Sequence, residues 1–241
     1  MRRVVISGGG TGIGLAVAAA FVASGDRVIL LGRRAAVLEA AATRLGDAAS
    51  WHATDLTEPD QVDAAAAAIG SPVHVIVNNA GAGTSFDDQP TLRDVASAWR
   101  REYDVNVLTA VLLTTALLPA LARPGGRVIS ISSVAALRGG AGAYSAAKAA
   151  LHGWSLDLAG TLGPDGVTVN VVAPGYIAST EFFGGRMTQA GHAARVRQTL
   201  VNRAGEPADV AAAVHYLASP NAGYVTGQIL QVNGGSVLGR G

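Results

Sequence analysis

The amino terminus limits what this chain can become more than any other stretch. Val4-Val5-Ile6 is a short apolar run, followed by Ser7-Gly8-Gly9-Gly10-Thr11-Gly12-Ile13-Gly14 and then an apolar helix over 15–23. Strand, glycine turn and helix in that order form a phosphate cradle. Glycine lets the backbone approach a pyrophosphate, and the helix N-terminus favours its negative charge. The spacing is Gly-x-x-x-Gly-x-Gly at Gly8, Gly12 and Gly14, not the commoner Gly-x-Gly-x-x-Gly. Alone, such a run is also compatible with a plain turn; its place between a strand and a helix is what points to a nucleotide.

The rest of the chain repeats the unit. Apolar runs at 27–31, 51–53, 73–77, 127–131, 167–172 and 229–232 read as strands. Helical stretches at 35–45, 58–69, 92–121, 144–162 and 208–218 separate them. This alternation predicts an α/β fold, a doubly wound parallel sheet of about seven strands with helices on both faces. The run 73–77 is continuously apolar, as in strands buried on both sides. With 241 residues and neither a linker nor an internal repeat, one domain is expected.

Composition narrows the function. The net charge is +1, so no global field favours nucleic acid or an anionic membrane. Zero cysteines exclude disulfides and thiolate chemistry and fit a cytoplasmic protein. The five histidines show no metal-ligand spacing, so no metal is expected. Arg2-Arg3 is followed by too few apolar residues for a signal peptide. The apolar stretch 105–121 holds Asn106, three threonines and Pro119, and reads as a buried helix rather than a membrane span. Hydrophobic residues make up 49% of the chain and charged ones 15%, a balance that anticipates buried subunit interfaces.

Several strand ends carry polar or basic residues. The second strand ends in Leu31-Gly32-Arg33-Arg34 with no carboxylate, and Asp26 lies at its wrong end. A fold that prefers NAD places an acid there for the ribose 2′-hydroxyl, whereas guanidiniums suit a 2′-phosphate, so NADP is favoured over NAD. A solvated helix start is the competing reading of Arg33 and Arg34. Asp55, beside Leu56, either meets an adenine amine or caps the next helix. Asn78-Asn79-Ala80-Gly81 ends the fourth strand, and Ser132-Ser133 ends the fifth. Ligands of open α/β sheets sit beyond such carboxyl ends.

Tyr144 and Lys148 stand four apart on a helix, one turn above each other on one face. Lys148 is the only lysine among 18 basic residues, the other 17 being arginine. A cation held near a phenol favours the phenolate, which predicts a lowered Tyr144 pKa. Taken alone, the spacing more often marks an incidental tyrosine and a solvated lysine. Asn106 among apolar neighbours either makes an intrahelical bond or holds a water near Lys148. Beyond Pro174-Gly175-Tyr176-Ile177, the segment 178–202 breaks the βα rhythm. Its Phe182-Phe183, Gly184-Gly185, Met187 and three arginines read as a substrate lid.

In this order, these motifs resemble the short-chain dehydrogenase/reductase family over almost the whole chain. The resemblance rests on Gly8-x-x-x-Gly12-x-Gly14, Asp55, Asn78-Asn79-Ala80-Gly81, Asn106, Ser133, Tyr144-x-x-x-Lys148, Pro174-Gly175, and the ending Val225-Thr226-Gly227-Gln228 with Val232-Asn233-Gly234-Gly235. It implies a Rossmann-type sheet and hydride transfer between a nicotinamide and a ketone or aldehyde and its alcohol. Tyr144 is then the general acid/base, Lys148 binds the nicotinamide ribose, Ser133 holds the substrate oxygen, and Asn106 positions a water. The cofactor is expected to meet Gly8, Gly10, Thr11, Gly12, Ile13 and Gly14, then Arg33, Arg34, Asp55 and Leu56. It continues along Asn79, Ala80, Gly81, Pro174, Gly175, Ile177 and Ser179, with Tyr144 and Lys148. The substrate is expected near Ser133, Tyr144, Tyr176, Phe182 and Phe183. Ser179 stands where the family usually has threonine.

The loop from Ser133 to Tyr144 is shorter than usual, which leaves Ser132 as an alternative for the serine role. Asp165 stands where carrier-protein ketoreductases often have basic residues. A 3-oxoacyl ketoreductase, an NAD-dependent alcohol or sugar dehydrogenase, an epimerase or dehydratase with retained cofactor, and a non-catalytic dinucleotide sensor remain as alternatives. The resemblance also implies a homotetramer or dimer, with the helices at 92–121 and 144–162 at one interface and the last strand at another.

Overall fold

Strand residues that point to opposite faces feed two separate cores. In the computed structural model, which describes residues 1–83, 91–183 and 187–239, the first strand, β1 (Arg3–Ser7), sends Val4 and Ile6 one way and Val5 the other. That is the period of two that a pleated strand imposes. Val4 and Ile6 meet α1 (Gly12–Ala23) at Val17 and Phe21, and α9 (Pro207–Ala218) at Val210, Val214 and Leu217. Val5 meets the opposite layer, made of α3 (Pro59–Ile69), α5 (Thr109–Leu117) and α7 (Ala143–Leu162), through Val62, Leu113, Leu117, Leu158 and Leu162. Covered on both faces, the central strands carry unbroken apolar runs.

Among the described residues the sheet has seven strands in the order β3-β2-β1-β4-β5-β6-β7, and each strand runs parallel to its neighbours. The others are β2 (Arg27–Gly32), β3 (Ala49–Ala53), β4 (Val75–Asn78), β5 (Arg127–Ile131), β6 (Thr168–Pro174) and β7 (Ile229–Val232). Strand order reverses between β1 and β4. Val5 lies between Ile29 on one side and Ile76 on the other, so the crevice opens beyond Ser7 and Asn78. α2 (Ala35–Leu45) covers β2 and β3.

Several boundaries differ from the sequence reading. Val73 falls outside β4 and forms an isolated bridge with Leu121. The stretch 92–121 is helical but not one α-helix. α4 (Leu92–Tyr103) passes into a π-helical turn at Asp104–Leu108, then α5, then a 3-10 turn at Leu118–Ala120. This run is long and apolar enough to cross a membrane by length and composition alone, yet Leu113 and Leu117 sit fully buried in the second core. A short helix, α6 (Ala135–Arg138), stands in the expected loop after β5. The segment 178–202 contains a 3-10 turn at Glu181–Phe183 and α8 (Gln189–Val196). Gly184, Gly185 and Arg186, and the side chain of Phe183, lie outside the described residues.

Candidate active site

The carboxyl ends of β1, β2, β4, β5 and β6 open into one cavity of about 1060 Å³. Its nucleotide end is built by the glycine turn. Gly8 has φ 64° and Gly12 φ 54°, a region that favours glycine. A Cβ on Gly14 would overlap the Gly8 carbonyl oxygen, so the helix can start this close only without one. α1 has neither a capping side chain nor an acid in its first turn. Its first amide donors are therefore left for a ligand, and the cradle fits the pyrophosphate of a nicotinamide dinucleotide. Gly8, Gly10, Thr11, Gly12 and Ile13 line the cavity; Gly14 supports them from below.

Asn79 and Ser7 fix this loop to β4. The Asn79 amide donates to the carbonyls of Ser7 at 2.9 Å and Gly8 at 3.2 Å. Ser7 Oγ accepts from the backbone amides of Asn79 and Ala80, both at 2.9 Å. Asn79, Ala80 and Gly81 line the cavity. Asn78 points the other way and donates to Thr114 Oγ1 at 2.8 Å.

At the far end of the cleft, Arg33, Arg34, Asp55 and Leu56 line the wall. Asp55 accepts from the Thr57 amide at 3.1 Å and from Thr57 Oγ1 at 2.7 Å, so it caps its own turn rather than α3. Burial alone would raise its pKa, but the Thr57 bonds and the Arg33 charge outweigh that and hold it below the usual range. Arg34 is engaged as well. Its guanidinium donates to Glu181 Oε2 at 2.7 Å, and Thr11 Oγ1 donates to the same oxygen at 3.3 Å. Glu181 lies in the 3-10 turn beyond β6, so this clasp crosses the cleft, and nothing in the local sequence signals it.

At the other end, β5 and α7 bring the reactive hydroxyls together. Ser133 and Tyr144 both line the cavity, and the Ser133 hydroxyl acts on the phenol to lower its pKa. Ser132 is engaged elsewhere: its Oγ donates to the Lys148 carbonyl at 2.9 Å and lies 2.8 Å from His152 Nε2. It pins α7 to β5, and the serine facing the phenol is Ser133. Lys148 is buried; its Nζ donates to the Ile131 carbonyl at 3.0 Å and lies 5.9 Å from the centre of the Tyr144 ring.

Here the sequence expectation of a lowered Tyr144 pKa is reversed. Burial pushes the phenol up to about 12, Ser133 pulls it back in part, and the charge of Glu102 adds to the rise. Burial likewise drives Lys148 down to about 8, with Glu102 opposing. Loss of water disfavours the charged form of both groups, and the ammonium spends a hydrogen bond on a carbonyl instead of the phenol.

Asn106 sits in the π-helical turn and does not line the cavity. Its Nδ2 donates to the Ala82 carbonyl at 2.9 Å, the Glu102 carbonyl at 3.0 Å and Glu102 Oε2 at 2.7 Å; its Oδ1 accepts from the Ala82 amide at 3.3 Å. The intrahelical reading of this asparagine therefore holds. Its Oδ1 nevertheless faces the site: a Cβ on Gly81 would stand 2.6 Å from it and 2.9 Å from Lys148 Nζ.

Pro174, Gly175, Tyr176 and Ile177 line the cavity as expected, and so do Met187 and Phe182. The Phe182 ring lies 5.4 Å from that of Tyr144. Tyr176 Oη meets His192 Nδ1 at 2.9 Å, and Arg195 stands over the Tyr176 ring at 5.7 Å. Ser179 is the exception. It is exposed with φ 57°, and Thr180 takes its place on the cavity wall, against Gly12. Arg138 and Gln198 also reach the wall and are hydrogen-bonded at 3.3 Å. Among the described residues, no group of three or more histidines, cysteines or acids could hold a metal ion.

The family model described as enoyl-(acyl carrier protein) reductase matches residues 8–236. The galactitol 2-dehydrogenase (L-tagatose-forming) of Cereibacter sphaeroides is 37% identical over 238 residues, 95% of this chain and 92% of that protein. The chain is a short-chain dehydrogenase/reductase. The family's 3-oxoacyl-(acyl-carrier-protein) reductase from Vibrio cholerae is 34% identical over 98% of both chains. A solved short-chain type dehydrogenase/reductase from Mycobacterium ulcerans superposes with a TM-score of 0.90 at 31% identity, covering 100% of this chain and 91% of that one. As a member of the family, the protein is an NAD(P)-dependent oxidoreductase of alcohols and ketones, acting on a small molecule.

Proposed function

We propose that this oxidoreductase uses NADP to interconvert a partly apolar ketone or aldehyde with its alcohol. The observation that carries the reading is that Ser133, Tyr144 and the buried Lys148 line one wall of the cavity, with Lys148 Nζ 5.9 Å from the centre of the Tyr144 ring. Bound nicotinamide supplies or accepts the hydride. Tyr144 carries the proton: in reduction its phenol donates to the carbonyl oxygen, which Ser133 holds in the same small volume. Lys148 Nζ, turned toward Gly81 and the Ile131 carbonyl, is the ribose-binding ammonium. Phe182, whose ring lies 5.4 Å from that of Tyr144, and Met187 give the cavity an apolar wall.

NADP is supported by Arg33 and Arg34 and by the missing acid after β2. Two relatives, one named for galactitol and the other for a 3-oxoacyl carrier, bracket the substrates; the aromatic lid supports the less polar side of that range. A cytoplasmic homo-oligomer completes the proposal.

The test is a carbonyl and alcohol screen with both cofactors, followed at the nicotinamide absorbance. NADPH-dependent reduction of at least one carbonyl class is expected. Binding of NADPH without turnover anywhere in the screen would favour a dinucleotide sensor.

A further inference from the structure

One buried acid has no part in the reaction as described. Glu102, in the last turn of α4, is 2% exposed. It lies one turn before Asn106, just where α4 passes into the π-helical turn. Its Oε2 accepts from Asn106 Nδ2 at 2.7 Å. That bond, with the bond to Ala82, sets which end of the Asn106 amide looks forward. Oδ1 is turned to the space over Gly81 that Lys148 Nζ also borders. A single side chain thus separates a buried carboxylate from a buried ammonium. π-helical turns inside α-helices occur frequently at functional sites, and a buried charge persists only where it is paired and hydrogen-bonded.

We propose that Glu102 is a positioning residue for the reaction: it orients the Asn106 amide and supplies the counter-charge for the Lys148 ammonium from behind the site. Among the described residues, the charged and titratable groups near that ammonium are Tyr144 and His152, one turn to either side on α7, and Glu102 from α4. Of these, Glu102 is the charge that acts on Lys148, favouring its protonated form against the effect of burial. The same negative charge adds to the rise that burial imposes on the neighbouring phenol. Glu102 therefore favours the proton-bearing form of both groups. The signal available in sequence was the four-residue spacing to Asn106.

The inference rests on Lys148 being the functional ammonium, but its test needs neither substrate nor turnover. Because the chain has one lysine, lysine labelled with ¹³C and ¹⁵N gives one side-chain resonance, and its titration follows Lys148 alone. The wild-type midpoint is expected at about 8. Glu102→Gln keeps the shape and an acceptor for Asn106 but removes the charge. Its midpoint is expected about one unit or more lower, the usual effect of a charge at close range. Glu102→Asp keeps the charge and is expected to titrate near the wild type. A merely structural acid would alter the melting temperature of Glu102→Gln and leave the midpoint unchanged, and that result overturns the proposal. Should Glu102→Gln not fold, the carboxyl resonance of Glu102 in the wild type decides. It is expected to shift as Lys148 titrates, and a flat response overturns the proposal.

Discussion

Tyr144 and Lys148 are moved in opposite directions by one cause. Leaving water penalises a phenolate and an ammonium alike, so the first pKa rises to about 12 and the second falls to about 8. At neutral pH the Tyr144 phenol keeps its proton, which suits the proposed reduction, and the rate of the proposed oxidation, which needs the phenolate, is expected to rise with pH. Arg34 shows a different competition. Its guanidinium is engaged by Glu181, so a 2′-phosphate must displace a carboxylate to reach it. Both partners are about 60% exposed, which keeps the pair weak. Glu181→Gln removes the competitor and a repelling charge. The KM for NADPH is expected to fall about two- to five-fold, the scale of a surface ion pair, with that for NADH unchanged. Steady-state kinetics with both cofactors check this. Equal change for both, or none, would remove Arg34 from 2′-phosphate recognition.

Elements were legible in the sequence wherever period and punctuation agreed. Val4-Val5-Ile6 before three glycines marks a buried strand and its turn, and Tyr144 with Lys148 follows from helical spacing within one element. What stayed hidden depends on depth or on distant partners. The π-helical turn around Asn106 leaves no mark in the local residue pattern. Ser179 matched the family position, but its positive φ turns it outward and hands the wall to Thr180. Glu181 meets Arg34 from an element remote in sequence, and the action of Glu102 on Lys148 crosses between elements although its bond to Asn106 is local. Spacing predicts the wrong sign for the Tyr144 shift because it reveals that a cation is near, not how much water both groups have lost.

Across the molecule, the sheet carries the reactive groups at one end and leaves apolar side chains on the flank. Trp99 and Tyr103 on α4 and Leu156 on α7 are 48%, 52% and 52% exposed, on two helices packed together. Such a patch suits a subunit interface, the one the resemblance implies for these helices. Leu156→Arg is expected to convert the oligomer to a smaller species by light scattering; a wild-type monomer would contradict the assignment. The central claim concerns the proton: Tyr144 gives and takes it. Tyr144→Phe keeps the ring and the contact with Phe182 while deleting the phenolic oxygen. With the substrate identified by the screen, kcat of this variant is expected to drop about 10²- to 10⁴-fold, the usual contribution of a general acid, while NADPH binding measured by fluorescence titration is retained. Turnover at the wild-type rate would contradict the account.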